Sequence, residues 1–266
     1  MKRLAWVTDI HFDFVSAKTI DAFSRRVLDE APDGVLIGGD ISEAYSVEGH
    51  LILLKDLLQL PIFFVLGNHD FYRGSIAAVR QKVGKLAERF PELVWLTRSE
   101  FVSLSDTTAL VGHDSWADGR LGKGVESELM VNDYFFIWDF IGLPVKQRFD
   151  KLGLLGDEAA GHFARVLPRA FEQHRKLILL THAPPFQESC WHEGRISDGD
   201  GLPHFACKAV GEVLRREMER RPECELLVLC GHTHSPGTAQ ILPNLLVRTG
   251  AAVYGNPTLQ SIVKIE

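Results

Sequence analysis

Cysteine and long hydrophobic runs are scarce in this chain. Only four of its 266 residues are cysteines, all of them lie in the last third, and no two form a CxxC pair. A disulfide framework or a thiolate metal site needs more closely spaced cysteines, so we expect reduced thiols. No apolar run approaches the roughly 18 residues of a membrane span, so we expect no membrane partner.

Positive charge is scarce as well. The chain has 29 lysines and arginines against 35 aspartates and glutamates, which gives a formal net charge of −6. Non-specific binding of nucleic acids depends on a basic surface, so we expect no stable nucleic-acid partner. The N-terminal residues also lack the long apolar stretch and the cleavage site of a signal peptide, which favours a cytoplasmic location.

The residues that are present suit one large α/β domain. The sequence is 45% hydrophobic and 24% charged, and no repeat, low-complexity tract or linker divides residues 1–266. In the first third, apolar runs that predict buried strands fall at 4–8, 34–37 and 61–66. Amphipathic runs that predict helices alternate with them, at 16–30, 47–60 and 76–90. This alternation is typical of βαβ units and a parallel sheet.

Beyond residue 90 the pattern changes to short strands with tight connections. A helix is predicted at about 205–220. Strands are predicted at 94–96, 101–104, 108–111, 176–180 and 225–229. The last two regions, 237–247 and 258–265, are predicted to form antiparallel strand pairs. Two packed mixed sheets with helices outside accommodate all of these elements.

Residues 115–174 stand outside this alternation. They are predicted to be mostly helical, and they carry no ligand-like motif. The aromatic run at 134–138 is best explained as the small core of an inserted helical layer, because aromatic clusters usually lie in cores. The alternatives are a cap over a functional site and a subunit contact, so we expect a monomer or a homodimer.

Five short motifs place metal-binding residue types directly after predicted strands. They are Asp9-Ile10-His11, Gly39-Asp40, Gly67-Asn68-His69-Asp70, Thr181-His182-Ala183-Pro184-Pro185 and Gly231-His232-Thr233-His234. Ligands in α/β sheets bind beyond the carboxyl ends of strands, so five strands would direct these residues to one place. The i, i+2 spacing within the first and last motifs would put each pair of ligands on one side of an extended backbone. Histidine, aspartate and asparagine supply nitrogen and oxygen ligands for divalent metals.

The order and spacing of the five motifs resemble those of the calcineurin-like metallophosphoesterases, over residues 9–234. The resemblance implies a four-layer α/β-β/α sandwich with a dinuclear metal centre, for which Mn, Fe, Zn, Co and Ni are all suitable. The implied ligands are Asp9, His11 and His234 for one metal, Asn68, His182 and His232 for the other, and Asp40 as a bridge between them. His69 is implied to be a catalytic residue beside the phosphate rather than a ligand.

The same resemblance implies hydrolysis of a phosphate ester by in-line attack of a hydroxide that bridges the metals. Two divalent ions, two aspartates and the hydroxide leave a net charge of about +1, which matches the single negative charge of a phosphodiester. His69, with an ordinary histidine pKa of ~6.5, would protonate the leaving alkoxide. A small phosphodiester, such as a cyclic nucleotide or a glycerophosphodiester, is therefore favoured as the substrate.

Other functions within the superfamily remain as alternatives. The UDP-diacylglucosamine pyrophosphatases read GNRD where this chain has Gly67-Asn68-His69-Asp70, and the arginine of the Asp-Arg pair of phosphoprotein phosphatases is missing from the stretch around Asp40. A small-molecule phosphomonoesterase or pyrophosphatase stays open. Some relatives with eroded metal motifs are non-catalytic protein-binding scaffolds, but this chain keeps every ligand.

Five residues outside the ligand set are candidates for substrate binding or orientation. His113 ends a predicted strand, and in the loop that follows, Arg120 could bind a phosphate and Trp116 could stack on a base or ring, unless this is a plain loop. Glu43 could orient His69 from three positions after Asp40. Asp70 could orient a ligand or simply fix its own turn.

Overall fold

A computed structural model describes all residues, 1–266, and contains two large sheets. The first sheet consists of β1 (Lys2–Val7), β2 (Gly34–Gly38), β3 (Ile62–Val65), β4 (Leu93–Trp95) and β13 (Ser261–Ile265), in the spatial order β13-β1-β2-β3-β4. Strands β1 to β4 are parallel, and β13 joins the edge antiparallel to β1. The parallel part of this sheet arises from the strand–helix alternation that the sequence predicted.

The second sheet is also mixed. Its strands are β5 (Val102–Ser103), β6 (Thr108–His113), β7 (Lys176–Thr181), β10 (Glu225–Cys230), β11 (Gly237–Leu242) and β12 (Leu245–Thr249), in the spatial order β11-β12-β10-β7-β6-β5. The four central strands are parallel, and the two edge strands pair antiparallel with their neighbours. A separate short hairpin is formed by β8 (Trp191–His192) and β9 (Arg195–Ile196).

Helices cover the outer face of each sheet. The helices are α1 (Ala17–Asp29), α2 (Val47–Leu58), α3 (Ile76–Arg89), α4 (Asp133–Phe136), α5 (Val145–Gln173), α6 (Leu202–Phe205) and α7 (Lys208–Glu219). One apolar cluster joins α1, α2 and α3 to the first sheet, and another joins α5 and α7 to the second. A third cluster lies between the sheets. The four-layer α/β-β/α sandwich is therefore confirmed.

Strand β1 illustrates how the sequence produces these layers. Successive side chains of a strand point to opposite faces of its sheet. Ala5 and Val7 belong to the cluster under the helices, whereas Leu4 and Trp6 belong to the cluster between the sheets. Because β1 is buried on both faces, it reads as a continuous apolar run instead of an alternating one.

Residues 115–174 differ from their prediction in two ways. From residue 145 onward they form α5, which is an outer helix of the second sheet and not part of a separate layer. The stretch before α5 contains only one helical turn, α4, and a single 3₁₀ turn. The expectation that the aromatic run has a core of its own is wrong, since Tyr134 and Ile137 of this run join the main cluster of the first sheet. Phe135 and Trp138 are exposed.

Smaller differences concern element boundaries. The helix predicted at 205–220 is observed as α7, with the short α6 before it. The antiparallel pairing predicted for 237–247 and 258–265 is confirmed: the first region is the hairpin of β11 and β12, and the last strand pairs with β1 in the other sheet. Strand pairing between distant segments depends on tertiary packing, which a local pattern does not encode.

All four cysteines are free and buried in the structure. None of the helices combines the length and the apolar character that crossing a membrane requires.

Candidate metal centre

The five motifs follow the ends of five strands and meet at one edge of the two sheets. Strands β1, β2 and β3 bring three motifs from the first sheet, and β7 and β10 bring two from the second. Main-chain hydrogen bonds link the loops: the amide of His11 donates to the carbonyl of Asp40 (3.0 Å), and that of Gly231 donates to the carbonyl of His182 (2.9 Å). The convergence of strand ends is therefore observed as predicted.

Left-handed backbone conformations are concentrated at this edge. Ten non-glycine residues have a positive φ, and five of them are predicted ligands: Asp9, His11, Asp40, His232 and His234. The expectation of an extended backbone across the i, i+2 pairs is therefore wrong. Each such conformation costs about 1 kcal/mol or more and persists only where the surroundings enforce it, which is typical of functional sites.

Four predicted ligands form one compact group. The ligand atoms of Asp9, His11, Asp40 and His234 all lie within 4.8 Å of one another. Nε2 of His11 lies 3.0 Å from Nε2 of His234, which in turn lies 3.4 Å from Oδ1 of Asp9. Burial lowers the pKa of His11 to about 3, so its imidazole is neutral, as a metal ligand must be.

A second group lies beside the first. Oδ1 of Asn68 is 2.9 Å from Nε2 of His182, and the rings of His182 and His232 are 5.0 Å apart. Nδ1 of His182 donates to the carbonyl of Gly38 (2.9 Å), so Nε2 of that ring carries a lone pair. Nε2 of His232 donates to the carbonyl of His204 (3.1 Å), which leaves Nδ1 of His232 as the free ligand atom.

Asp40 lies between the two groups. Its Oδ2 is 3.8 Å from Nε2 of His11 in the first group, and its Oδ1 is 3.4 Å from Nε2 of His182 in the second. Burial and the nearby carboxylate of Asp9 raise the pKa of Asp40 well above its ordinary value. Positive charge between the groups would offset this penalty on the charged form.

The donor set fits divalent cations at both groups. In the second group, Nε2 of His182 and Oδ1 of Asn68 direct lone pairs at the same space, because the amide nitrogen of Asn68 donates to Asp133 (2.8 Å). Two lone pairs at 2.9 Å repel one another unless a cation or a proton lies between them. In the first group, two imidazoles and two carboxylates are the nitrogen and oxygen ligands that first-row metals prefer.

His69 lies at the edge of the cluster and is not aligned as a ligand. Its ring stacks on that of Tyr72 with centroids 4.2 Å apart, and its Nε2 is 4.0 Å from Oδ2 of Asp40. The main-chain amide of His69 donates to Oδ1 of Asp40 (2.8 Å). Burial lowers the pKa of His69 to about 2, so the expectation of an ordinary histidine pKa is wrong.

A pocket of about 350 Å³ opens over the two groups. Its lining includes Asp40, Asn68, His69 and His234 from the motifs, but no lysine or arginine. Residues 130–133, from the stretch before α5, line one side of it. This part of the segment at 115–174 therefore borders the pocket.

Several residues of the site lie outside every motif, among them Asp133 and Tyr254. Asp133 is buried and accepts hydrogen bonds from Nδ2 of Asn68 (2.8 Å) and from the hydroxyl of Tyr72 (2.8 Å). Tyr254 lines the pocket, and its hydroxyl is 3.4 Å from Nε2 of His69. Neither residue has a local sequence signature, because both reach the site through the tertiary fold.

Three candidates for substrate binding lie elsewhere. His113 lines a separate cleft, where its ring packs 5.0 Å from that of His162. Trp116 is buried in the core of the first sheet, and Arg120 pairs with Asp157 (2.7 Å). The structure does not bring these side chains to the pocket.

The two candidates for orientation have different surroundings. Glu43 forms an ion pair with Arg73, not with His69. Asp70 is fully buried, and its carboxylate accepts the main-chain amides of Ile41 (3.0 Å), Ser42 (2.9 Å) and Gly67 (2.8 Å). It thereby joins the loop that carries Asp40 to the loop that carries Asn68 and His69.

Comparison with known proteins gives a consistent result. The family model described as calcineurin-like phosphoesterase matches residues 2–236. Phosphopantetheinyl hydrolase from Mycobacterium tuberculosis has a similar structure, with a TM-score of 0.68 at 16% identity over 95% of this chain and 90% of that one. A dimetal phosphatase from Danio rerio aligns with a TM-score of 0.60 at 14% identity over 95% and 88% of the two chains. A comparison with curated proteins found no match. The chain belongs to the calcineurin-like phosphoesterase family and is a metal-dependent hydrolase.

Proposed function

We propose that this protein hydrolyses a small phosphodiester at a centre of two divalent ions. The observation that carries the proposal is the pair of ligand groups that share Asp40, whose two oxygens face His11 and His182 respectively. One ion would be held by Asp9, His11 and His234, the other by Asn68, His182 and His232, and both by Asp40. Mn, Fe, Zn, Co and Ni all suit these ligands.

Divalent ions held there would neutralise phosphoryl charge and lower the pKa of water. The protein's own residues supply the rest. Asp70 fixes the relative position of two ligand loops, and Asp133 fixes the amide of Asn68. His69 faces the space beside Asp40, where its neutral ring can donate a hydrogen bond to the leaving oxygen.

The charges of the pocket support a diester over a monoester or a pyrophosphate. Two divalent ions would bring about four positive charges, and the carboxylates of Asp9 and Asp40 together with an attacking hydroxide would remove three of them. The pocket has no lysine or arginine to offset further negative charge, and Asp133 adds another acid to its lining. A phosphodiester carries one negative charge, whereas a monoester dianion or a pyrophosphate carries more.

We also propose that the substrate is a small molecule and that the protein acts in the cytoplasm. A pocket of about 350 Å³ is at the small end of the range for ligand sites. Four free, buried cysteines are consistent with a reducing compartment.

The function is tested by comparing two chromogenic substrates on the Mn-loaded protein. We expect a higher kcat/KM for bis(p-nitrophenyl) phosphate than for p-nitrophenyl phosphate, and no activity in the Asp40→Asn variant. Because nitrophenolate leaves without a proton, glycerophosphodiesters and cyclic nucleotides should be assayed beside them. A faster reaction with the monoester would contradict the diester assignment, and no turnover of either class would contradict the enzymatic proposal.

A further inference from the structure

Tyr254 lies directly over the first ligand group. Its ring centroid is 4.5 Å from that of His11 and 5.1 Å from that of His234. Its hydroxyl is 3.4 Å from Nε2 of His69, the ring nitrogen that faces Asp40. The phenol hydroxyl and the catalytic histidine nitrogen therefore border the same space.

The position of Tyr254 is fixed by the loop between β12 and β13. The side chain of Gln260 makes two hydrogen bonds with the main chain of Ala251, one accepted from its amide and one donated to its carbonyl, both at 2.8 Å. The amide of Ala252 donates to the carbonyl of His234 (3.1 Å). The loop is thus tied to a metal-ligand loop two residues before Tyr254.

Packing alone explains the ring of Tyr254 but not its hydroxyl. Phe14 lies 4.8 Å from the ring on one side and His11 lies 4.5 Å from it on the other, and a phenylalanine would make both contacts. The hydroxyl has only the long contact with His69 as a partner, and the side chain borders the pocket. It is therefore available to a ligand.

We propose that Tyr254 is a further catalytic residue, whose hydroxyl donates a hydrogen bond to a phosphoryl oxygen of the substrate beside His69. The inference rests on the proposed function, because it requires a phosphate ester over the ligand groups. A phenol hydroxyl donates to an anionic oxygen without adding charge, which suits a pocket that has no lysine or arginine.

The test uses the Tyr254→Phe variant of the full chain, loaded with Mn, which keeps the ring and removes only the hydroxyl. Tyr45→Phe is the matched control, because Tyr45 is exposed and lies outside the pocket lining. We expect Tyr254→Phe to lower kcat/KM for bis(p-nitrophenyl) phosphate by about 10- to 100-fold, as for loss of a hydrogen bond to a charged group. Metal content and melting temperature should match those of the wild type.

Binding of inorganic phosphate, measured by calorimetry, provides a readout that does not depend on turnover. We expect weaker phosphate binding by Tyr254→Phe and unchanged binding by Tyr45→Phe. The proposal is overturned if Tyr254→Phe binds phosphate as tightly as the wild type. A wild-type protein that binds phosphate but hydrolyses no ester would contradict the proposed function. In that case, the difference in phosphate affinity between the wild type and Tyr254→Phe would still show whether the hydroxyl of Tyr254 contacts phosphate.

A second comparison separates direct contact with phosphate from an effect through His69. In a His69→Ala background, Tyr254→Phe should still weaken phosphate binding, because the hydroxyl itself contacts the phosphoryl oxygen. If the substitution has no effect in that background, Tyr254 acts only by positioning His69, and direct contact is excluded.

Discussion

Oδ1 of Asn68 and Nε2 of His182 lie 2.9 Å apart, although neither atom carries a hydrogen for the other. The other ring nitrogen of His182 donates to the carbonyl of Gly38, and the amide nitrogen of Asn68 donates to Asp133. These outer partners orient the side chains and leave two lone pairs facing each other. This contact supports the proposal that the second ligand group holds a cation.

The Asp133→Ala substitution tests the outer partner of Asn68. It removes the acceptor that fixes the amide, so we expect the affinity for Mn to fall by about 10- to 100-fold, the usual cost of losing such a partner. Titration of the metal-free protein measures this. The control is Asp150→Ala, which removes an exposed carboxylate on α5. If Asp133→Ala binds Mn as well as the control does, Asp133 has no role in the site.

A double substitution locates the effect of Asp133 at Asn68. In an Asn68→Ala background, the amide that Asp133 orients is gone, so Asp133→Ala should change metal affinity little further. The two losses should therefore fall well short of additivity, as expected for residues in contact. Simple addition of the two effects would mean that Asp133 acts by another route, such as its hydrogen bond with Tyr72.

The Asp40→Asn substitution tests the shared ligand. It keeps the shape of the side chain but removes a charge that both ion sites need, so kcat should fall by more than about 100-fold. Mn should raise the melting temperature of the wild type by mass action, and this increase should be lost in the variant. An Asp40→Asn protein that is still stabilised by Mn to the wild-type extent contradicts the shared position.

His69→Ala should separate chemistry from metal binding. We expect kcat to fall by about 10- to 100-fold, the usual cost of losing one hydrogen bond to a charged oxygen, with unchanged metal content. The loss should be larger for a glycerophosphodiester than for bis(p-nitrophenyl) phosphate, because a leaving alkoxide carries more localised negative charge than nitrophenolate and depends more on the hydrogen bond from the neutral ring of His69. Equal losses for both leaving groups would assign His69 a role other than assisting departure.

Arg120→Ala should leave catalysis nearly unchanged. Arg120 pairs with Asp157 and Asp118, outside the pocket lining. We expect kcat/KM to stay within about twofold of the wild type, as for a surface substitution. A loss of tenfold or more on any phosphodiester would instead support the substrate contact that its sequence position suggested.

The sequence predicted the parts of this protein that depend on local patterns. Apolar runs gave the strands, and Asp, His and Asn directly after them marked the edge where the ligands meet. The helix predicted at 16–30 is observed as α1, and the side chain of Ser16 caps it by accepting the amide of Thr19 at 3.2 Å. Such signals are readable because a few adjacent residues determine them.

The parts that the sequence did not predict depend on contacts between distant segments. The left-handed conformations of Asp9 and His11 arise from the packed loops, not from their own preferences. Asp133 contacts Asn68 from 65 positions further along the chain, and Tyr254 contacts His69 from 185 positions further along. His113 ends a strand of the second sheet and Arg120 lies in the loop after it, yet neither side chain reaches the pocket.

The two-ion assignment is tested most directly by the metal stoichiometry of the wild-type protein. The metal-free chain is loaded with excess Mn, freed of unbound metal, and analysed for metal per chain by mass spectrometry. We predict two ions per chain in the wild type and a reduced content in the Asp40→Asn variant. A saturated wild-type content of one ion or none would contradict the assignment.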